Sequence, residues 1–201
     1  MTLESGKTLG GIGALLVVIG FLGFFASGYI AILALVGMII TLIALKGMAD
    51  HYNEAGIFNN ALYGVITLII GVVAFIATLV VVILMALSNI DIDWTDPAAI
   101  QAYFMNFSNI GNIIGAAIGA LVVLFVFTIV SAIFFRKSLT SLSTKSGENI
   151  FATAGLLWLI GAVLTMVLVG FILIGIAWIL IAVGFFSIKP TAPSPPPPPP
   201  S

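Results

Sequence analysis

The chain has no cysteine, one histidine and very few charged residues. It therefore forms neither a disulfide nor a thiolate nucleophile, and His51 alone leaves little for a transition-metal site. Charged residues make up 6% of the 201 residues, whereas soluble domains carry about 25%. A chain that is 62% hydrophobic with so little charge belongs in a lipid bilayer. The net charge of −1 gives no indication of a nucleic-acid partner.

Long uncharged runs define the expected fold, an all-α polytopic membrane helical bundle of about six transmembrane helices. The run 9–45 would be roughly 55 Å long as one helix, against a hydrocarbon core of about 30 Å, so it must fold back near Gly28. The run 150–188 divides in the same way at Gly170. The predicted helices are 9–26, 30–45, 58–87, 110–135, 150–169 and 171–188 within a bundle 1–189, followed by a disordered proline-rich tail, 190–201.

All six basic residues fall on one side of this arrangement. They are Lys7, Lys46, Arg136, Lys137, Lys145 and Lys189. The segments on the other side contain none, and one of them carries Asp91, Asp93 and Asp96. Because basic loops are retained in the cytoplasm, the pattern predicts a plasma-membrane protein with both termini inside. The polar stretch 134–151 is then a cytoplasmic loop.

Two alternatives agree with the same charges. Either apolar hairpin would also return its ends to one side as a re-entrant hairpin, although each helix is near spanning length. The first helix would also serve as a signal peptide, since Lys7 precedes an apolar core that ends at Ala26 and Ser27. Its glycines instead favour a packing element that stays in the chain.

The two apolar hairpins share a pattern that predicts an internal repeat. Gly20 precedes Gly28 by eight residues, and Gly161 precedes Gly170 by nine. The polar segments after the second and fourth predicted helices both run from a lysine to an Ile-Phe-x-x-Ala sequence. Such a helical-hairpin duplication is shared by transporters and by inert scaffolds.

Three stretches are typical of one protein family: KTLGGIGALL at 7–16, LIALKGMADHYNEAGIFNNALYG at 42–64 and WILIAVGFFSIK at 178–189. In these stretches the chain resembles a family of small, largely archaeal multi-pass membrane proteins, domain of unknown function 996. The resemblance covers about 7–189 and leaves out the proline tail. It implies a multi-helix plasma-membrane protein and carries no activity, substrate or catalytic residue.

The strongest helix-packing motif lies in the fourth predicted helix. Gly111, Gly115 and Gly119 are spaced by four residues, which places them on one face where another backbone can approach closely. The neighbour would be a helix of the same chain or a second copy in a homo-oligomer. A glycine-lined pore is a third possibility.

The segment 88–107 is predicted to lie outside the membrane. Asp96 followed by Pro97 is typical of a helix start, a capping carboxylate before a proline in the first turn. Apolar residues then recur at the spacing of a short external interfacial helix. They are Ile100, Tyr103, Phe104 and Phe107. Asn89, Asp91 and Asp93 resemble the start of a calcium loop that lacks its glycine and closing glutamate, so a solvated acidic rim is expected.

The polar segments on the basic side give weaker indications. Asp50, His51 and Glu54 gather in one stretch, where a solvated loop is favoured over a metal or hydrolytic site. The hydroxyl residues of 138–144 lie beside Arg136 and would suit phosphorylation, although hydroxyls are ordinary in loops.

The distribution of polar residues favours a non-enzymatic function. No acidic, basic or histidine residue lies inside a predicted span, which disfavours an ion-coupled transporter. We expect no catalytic residue, no cofactor and no metal. The sequence favours a scaffold or accessory subunit in the lipid bilayer that binds a second copy or another membrane protein. The alternative is a small-solute facilitator or channel.

Overall fold

The computed structural model describes residues 2–23, 28–88, 95–105, 107–167 and 169–189. The described part of the chain is helical, with short connections and no strand. Its elements are α1 (Leu3–Gly23), α2 (Ile32–His51), α3 (Ala55–Ser88), α4 (Pro97–Met105), α5 (Phe107–Ser146), α6 (Ile150–Leu164), a 3₁₀ turn (Thr165–Val167) and α7 (Val169–Ser187). Six segments of the described chain are long and apolar enough to cross a membrane, and they lie in α1, α2, α3, α5, α6 together with the 3₁₀ turn, and α7. The predicted polytopic helical bundle is therefore confirmed.

The six long helices form three hairpins arranged in a closed ring. α1 packs on α2, α3 packs on α5, and α6 packs on α7. Between hairpins, α2 contacts α3, α5 contacts α6, and α7 returns to α1. α1 is therefore part of the ring and packs between α2 and α7.

Glycines bring the helix backbones of the two shorter hairpins into contact. A Cβ built on Gly13 of α1 would lie 2.9 Å from the carbonyl oxygen of Gly37 in α2. A Cβ built on Gly161 of α6 would lie 3.0 Å from the carbonyl oxygen of Gly170 in α7. Small residues are what allows such close approach, and van der Waals packing drives helix association in a membrane.

Two serines hold the longer hairpin, α3 with α5, in register. The Ser131 hydroxyl donates to the carbonyl oxygen of Gly64 at 2.8 Å, and the Ser138 hydroxyl donates to that of Ile57 at 2.5 Å. The two serines are seven residues apart on α5, and their acceptors are seven apart on α3. Because the later serine bonds to the earlier acceptor, the two helices run antiparallel. The equal seven-residue spacing keeps them in register.

The six basic residues lie at one end of the ring. Lys145 near the end of α5 pairs with Glu54 just before α3, at 3.4 Å. Met48 near the end of α2 packs against Gly6 in α1, and α7 ends beside α1. We call this end the basic end, defined by Lys7, Lys46, Arg136, Lys137, Lys145 and Lys189. This shared end agrees with the prediction that these residues lie on one side of the membrane, and both the crossing and the side stay predictions.

Aromatic side chains fill the half of the ring nearest the basic end. Phe135 stacks on Trp158 at 4.4 Å between ring centroids, and Trp158 lies 4.8 Å from Trp178. Phe151 meets Phe185 edge to face at 5.2 Å. All five side chains are buried, so the core joins α5, α6 and α7 at this level. Such aromatic pairs contribute about 0.5–1.5 kcal/mol beyond the area they bury.

α3 and α5 extend beyond the other four helices at the end opposite the basic end. They have 34 and 40 residues, so they are about 51 and 60 Å long, whereas α1, the longest of the others, has 21 residues. Ser138 of α5 contacts Ile57 near the start of α3, and from that level both helices run further than the length of α1, so both project from the opposite end. The last eight residues of α5 extend in the other direction, at the basic end. α4 lies at that end and contacts α5.

The polar stretch 134–151 is mostly helical, which corrects the prediction of a loop. α5 continues to Ser146, and Leu139 and Leu142 in its last turns are buried against the core. The hydroxyls of Thr144 and Ser146 donate to backbone carbonyl oxygens one turn earlier, so these polar groups are satisfied within the helix. Gly147, with φ of 77°, ends the helix in the left-handed conformation that glycine adopts easily.

The helix boundaries also differ at the apolar turns. The predicted break at Gly170 lies earlier, at the 3₁₀ turn Thr165–Val167. Gly170 is instead a buried residue of α7 that contacts α6, since its missing side chain serves packing rather than a turn. Gly28 does lie in the turn region before α2, as predicted. The aligned glycines of the proposed repeat therefore have different surroundings.

The polar connections between hairpins are more alike than the glycines. Asn53, with φ of 53°, precedes Glu54 and the start of α3. Gly147, with φ of 77°, precedes Glu148 and the start of α6. Both connections thus use a left-handed residue followed by glutamate. This likeness agrees with an internal repeat, which stays a prediction.

Candidate functional site

The predicted packing glycines lie on the outside of the projecting part of α5. Gly111, Gly115 and Gly119 are exposed, and among the described residues nothing comes within 4 Å of a Cβ built on any of them. The buried small residue at this level is Ala120, with 0% exposure, one position further on. α5 therefore turns Ala120 inward and the glycines outward. Their role in packing stays a prediction, and it requires a partner other than the described helices of one chain.

Large apolar side chains surround these glycines. Ile114, Ile118 and Val122 are 53%, 55% and 45% exposed on the same part of α5. We call this surface the glycine face, defined by Gly111, Ile114, Gly115, Ile118, Gly119 and Val122. Small residues flanked by β-branched ones make a flat, stiff surface on which a second helix can pack closely.

The interior of the ring uses hydroxyls as its buried polar groups. Among the described residues the buried polar side chains are Thr41, Ser131, Ser138 and Ser143. The Thr41 hydroxyl donates to the carbonyl oxygen of Gly37 at 2.8 Å, and the two serines of the α3–α5 pair donate across the helix interface. The two serine bonds thus join α3 to α5, whereas the Thr41 bond stays within α2. The sequence signal for this pair is the seven-residue spacing of Ser131 and Ser138.

The acidic residues of 49–54 form ion pairs at the basic end. Asp50 accepts a hydrogen bond from Lys46 at 2.7 Å within α2, and Glu54 pairs with Lys145 across to α5. Such exposed ion pairs contribute about 0–1 kcal/mol each.

Burial, with a smaller contribution from the charge of Glu148, raises the pKa of Tyr52 above its usual value. In the described part of the chain no three His, Cys, Asp or Glu side chains come together as metal ligands.

A groove on the outer side of α5 at the basic end was not predicted. It encloses about 560 Å³ and is lined mainly by one face of α5, with Asn60 of α3 and Leu159 of α6 at its margins. The α5 residues are Ile133, Arg136, Lys137, Thr140 and Ser141. They recur at i, i+3, i+4, i+7 and i+8, which places them on one side of the helix. The sequence contains this helical periodicity. The prediction of a loop for 134–151 excluded a helix face there, so the groove was not predicted.

The predicted start of the external helix is confirmed. Asp96 accepts a hydrogen bond from the backbone N–H of Ala98 at 2.9 Å, and Pro97 is the first residue of α4. Ile100 is partly buried on that helix. The side chains of Tyr103, Phe104 and Phe107 lie outside the described part of the structure, as do the acidic residues of 89–93 and the tail 190–201.

Comparisons with known proteins find relatives without an assigned activity. A family described as a protein of unknown function, DUF996, matches residues 33–179. The uncharacterized protein MJ1644 of Methanocaldococcus jannaschii is 31% identical over 188 residues, which is 94% of each chain. No solved structure matches the chain.

Proposed function

The chain belongs to DUF996, a family of proteins of unknown function, and we propose that it is a non-enzymatic membrane scaffold or accessory subunit. In this proposal it resides in the plasma membrane with both termini in the cytoplasm. It associates through the glycine face with a second copy or with a helix of another membrane protein. The expectation of no catalytic residue and no cofactor is part of the same proposal.

The observation that supports this proposal is the contrast between the inside and the outside of the ring. Inside, aromatic side chains and close glycine contacts fill the space between helices near the basic end. Outside, the projecting part of α5 presents three glycines, and a Cβ built on any of them meets no atom of the described residues. Glycines in an apolar helix give lipid little surface to contact, so an uncovered glycine face favours a partner helix.

A small-solute facilitator is the second candidate. The ring of six helices favours it, because a ring has a central axis along which a path would run. The aromatic cluster of Phe135, Trp158 and Trp178 lies in the ring and would have to move for a solute to pass. Flux measurements on proteoliposomes separate the two candidates, since the scaffold proposal predicts no flux above that of empty liposomes.

Native mass spectrometry of the protein extracted gently from its own membrane tests the scaffold proposal. We expect a defined homo-oligomer or hetero-complex for the full chain. Gly115→Leu should reduce it to the monomer, because the leucine side chain would separate the two backbones. A chain ending at Lys189 shows whether the proline tail contributes to the complex. A monomer in the unchanged protein, or a complex that keeps its size with Gly115→Leu, would contradict association through this face.

A further inference from the structure

The groove on the outer side of α5 has no role in the proposed association, which uses the opposite end of the same helix. Its volume of about 560 Å³ is in the range of small-molecule sites. Its polar lining consists of two cationic side chains, two hydroxyls and an amide. We propose that this groove binds the phosphate headgroup of an anionic membrane lipid.

The cationic side chains of the groove differ from three of the other four at the basic end, since only Lys189 shares their lack of a carboxylate partner among the described residues. Lys7, Lys46 and Lys145 each have a carboxylate partner, at 3.6, 2.7 and 3.4 Å. Within the described part of the chain, Arg136 and Lys137 have no carboxylate within 4.0 Å. Two adjacent unneutralised cations on one helix face repel each other and attract an anion.

The neighbouring polar groups complete a phosphate-binding set. The hydroxyls of Thr140 and Ser141 lie one turn further along α5 on the same face. Asn60 donates one amide hydrogen to the carbonyl oxygen of Gly56 at 2.8 Å, which leaves its second amide hydrogen for a ligand. A guanidinium binds phosphate in a bidentate manner and an ammonium binds it as a point charge. The residue types therefore match an anionic oxygen group such as phosphate better than a neutral solute.

Contacts between helices hold both walls of the groove in place. On the α3 side, the hydrogen bonds of Ser131 and Ser138 flank the level of Asn60. On the α6 side, a Cβ built on Gly155 would lie 3.2 Å from the Cα of Arg136, so α6 approaches the α5 backbone closely at this level. Leu159 is one turn further along α6. The groove is thus preformed, which reduces the entropy cost of binding.

The position of the groove along α5 selects a lipid over a soluble anion. Residues 107–135 carry no charge, and Arg136 and Lys137 are the first charges of the helix. A phosphate at these side chains would lie at the boundary between hydrocarbon and water. Ile133 lies on the apolar side of that boundary and is 41% exposed, and Leu159 lies beside it. A lipid satisfies both parts of the groove at once, with its phosphate on the cations and an acyl chain along the apolar residues.

Lipid titration of the full-length, delipidated protein in detergent tests the proposal. Native mass spectrometry would follow binding of phosphatidylglycerol, of phosphatidylcholine and of inorganic phosphate. We expect phosphatidylglycerol to bind most tightly. Arg136→Gln with Lys137→Gln should weaken that binding about thirtyfold, since each basic residue near a membrane surface contributes about a factor of five. The matched control is Lys46→Gln with Lys145→Gln, which removes the same charge from cations that already have partners and should change binding less than threefold.

A second measurement needs no variant. Phosphatidylglycerol with a photoreactive acyl chain should crosslink to peptides that contain Ile133 or Leu159. Equal weakening in the two double variants would overturn the proposal, because it would show attraction to charge without a site. Phosphatidylcholine binding as tightly as phosphatidylglycerol would also overturn it. Inorganic phosphate that displaces the lipid at a similar concentration would assign the groove to a soluble anion instead.

Discussion

At the scale of single residues, glycines have two different roles in this chain. Gly13, Gly37, Gly161 and Gly170 lie where two backbones meet, and any side chain there would displace the facing helix. Gly111, Gly115 and Gly119 of α5 have no described atom within 4 Å of a Cβ built on them. The chain contains 21 glycines, so composition and spacing alone do not separate the two roles. The separation depends on which side of each helix is covered.

Matched glycine-to-alanine substitutions test these roles. A Cβ on Gly37 would lie 2.5 Å from the carbonyl oxygen of Gly13, so Gly37→Ala should lower the free energy of unfolding by about 1–3 kcal/mol. Gly115→Ala meets no described atom, and the higher helix propensity of alanine should leave stability unchanged or raise it by up to about 1 kcal/mol. Denaturant titration of the detergent-solubilised monomer gives both values. Equal changes in the free energy of unfolding would contradict the assignment of Gly37 to a close helix contact and of Gly115 to an uncovered face.

At the scale of elements, the α3–α5 hairpin determines the shape of the molecule. Its two serine hydrogen bonds set the register, and that register sends the excess length to the end opposite the basic end. The same pairing places Asn60 beside the outer face of α5, where the groove lies. Both the glycine face and the proposed lipid site therefore depend on one helix pair.

Removing a hydroxyl tests the register of this pair. Ser138 is fully buried, so Ser138→Ala deletes an interhelical hydrogen bond without creating space for water. We expect a loss of about 0.6–1.7 kcal/mol in the free energy of unfolding. The control is Ser143→Ala, because Ser143 is also buried on α5 but forms no side-chain bond to another helix in the described structure. If both variants unfolded alike, the cross-helix bond would have no special contribution.

At the scale of the whole molecule, the class of fold could be predicted from the sequence. The location of the basic residues at one end of the ring could be predicted as well. Both follow from run lengths and from the sharp contrast between apolar and charged residues. The end of α5 was mistaken for a loop because 136–146 is polar on its exposed side, although Leu139 and Leu142 on the other side are buried. The groove was missed for the same reason. The direction of the glycine face depends on helix rotation, which tertiary contacts set.

We propose that three hairpins cross the membrane with the basic end in the cytoplasm. Because the chain has no cysteine, single cysteines can be introduced at exposed positions and labelled with a membrane-impermeant maleimide. Tyr29 lies in the turn before α2 and is 86% exposed, Gln101 is exposed on α4, and Thr144 is exposed at the basic end.

We predict that Tyr29→Cys and Gln101→Cys are labelled in intact cells and that Thr144→Cys is labelled only after permeabilisation. Labelling of Thr144→Cys in intact cells would reverse the orientation. If Tyr29→Cys stayed unlabelled in intact and in permeabilised cells while Gln101→Cys was labelled in intact cells, the first hairpin would be re-entrant, which would contradict the six-helix crossing.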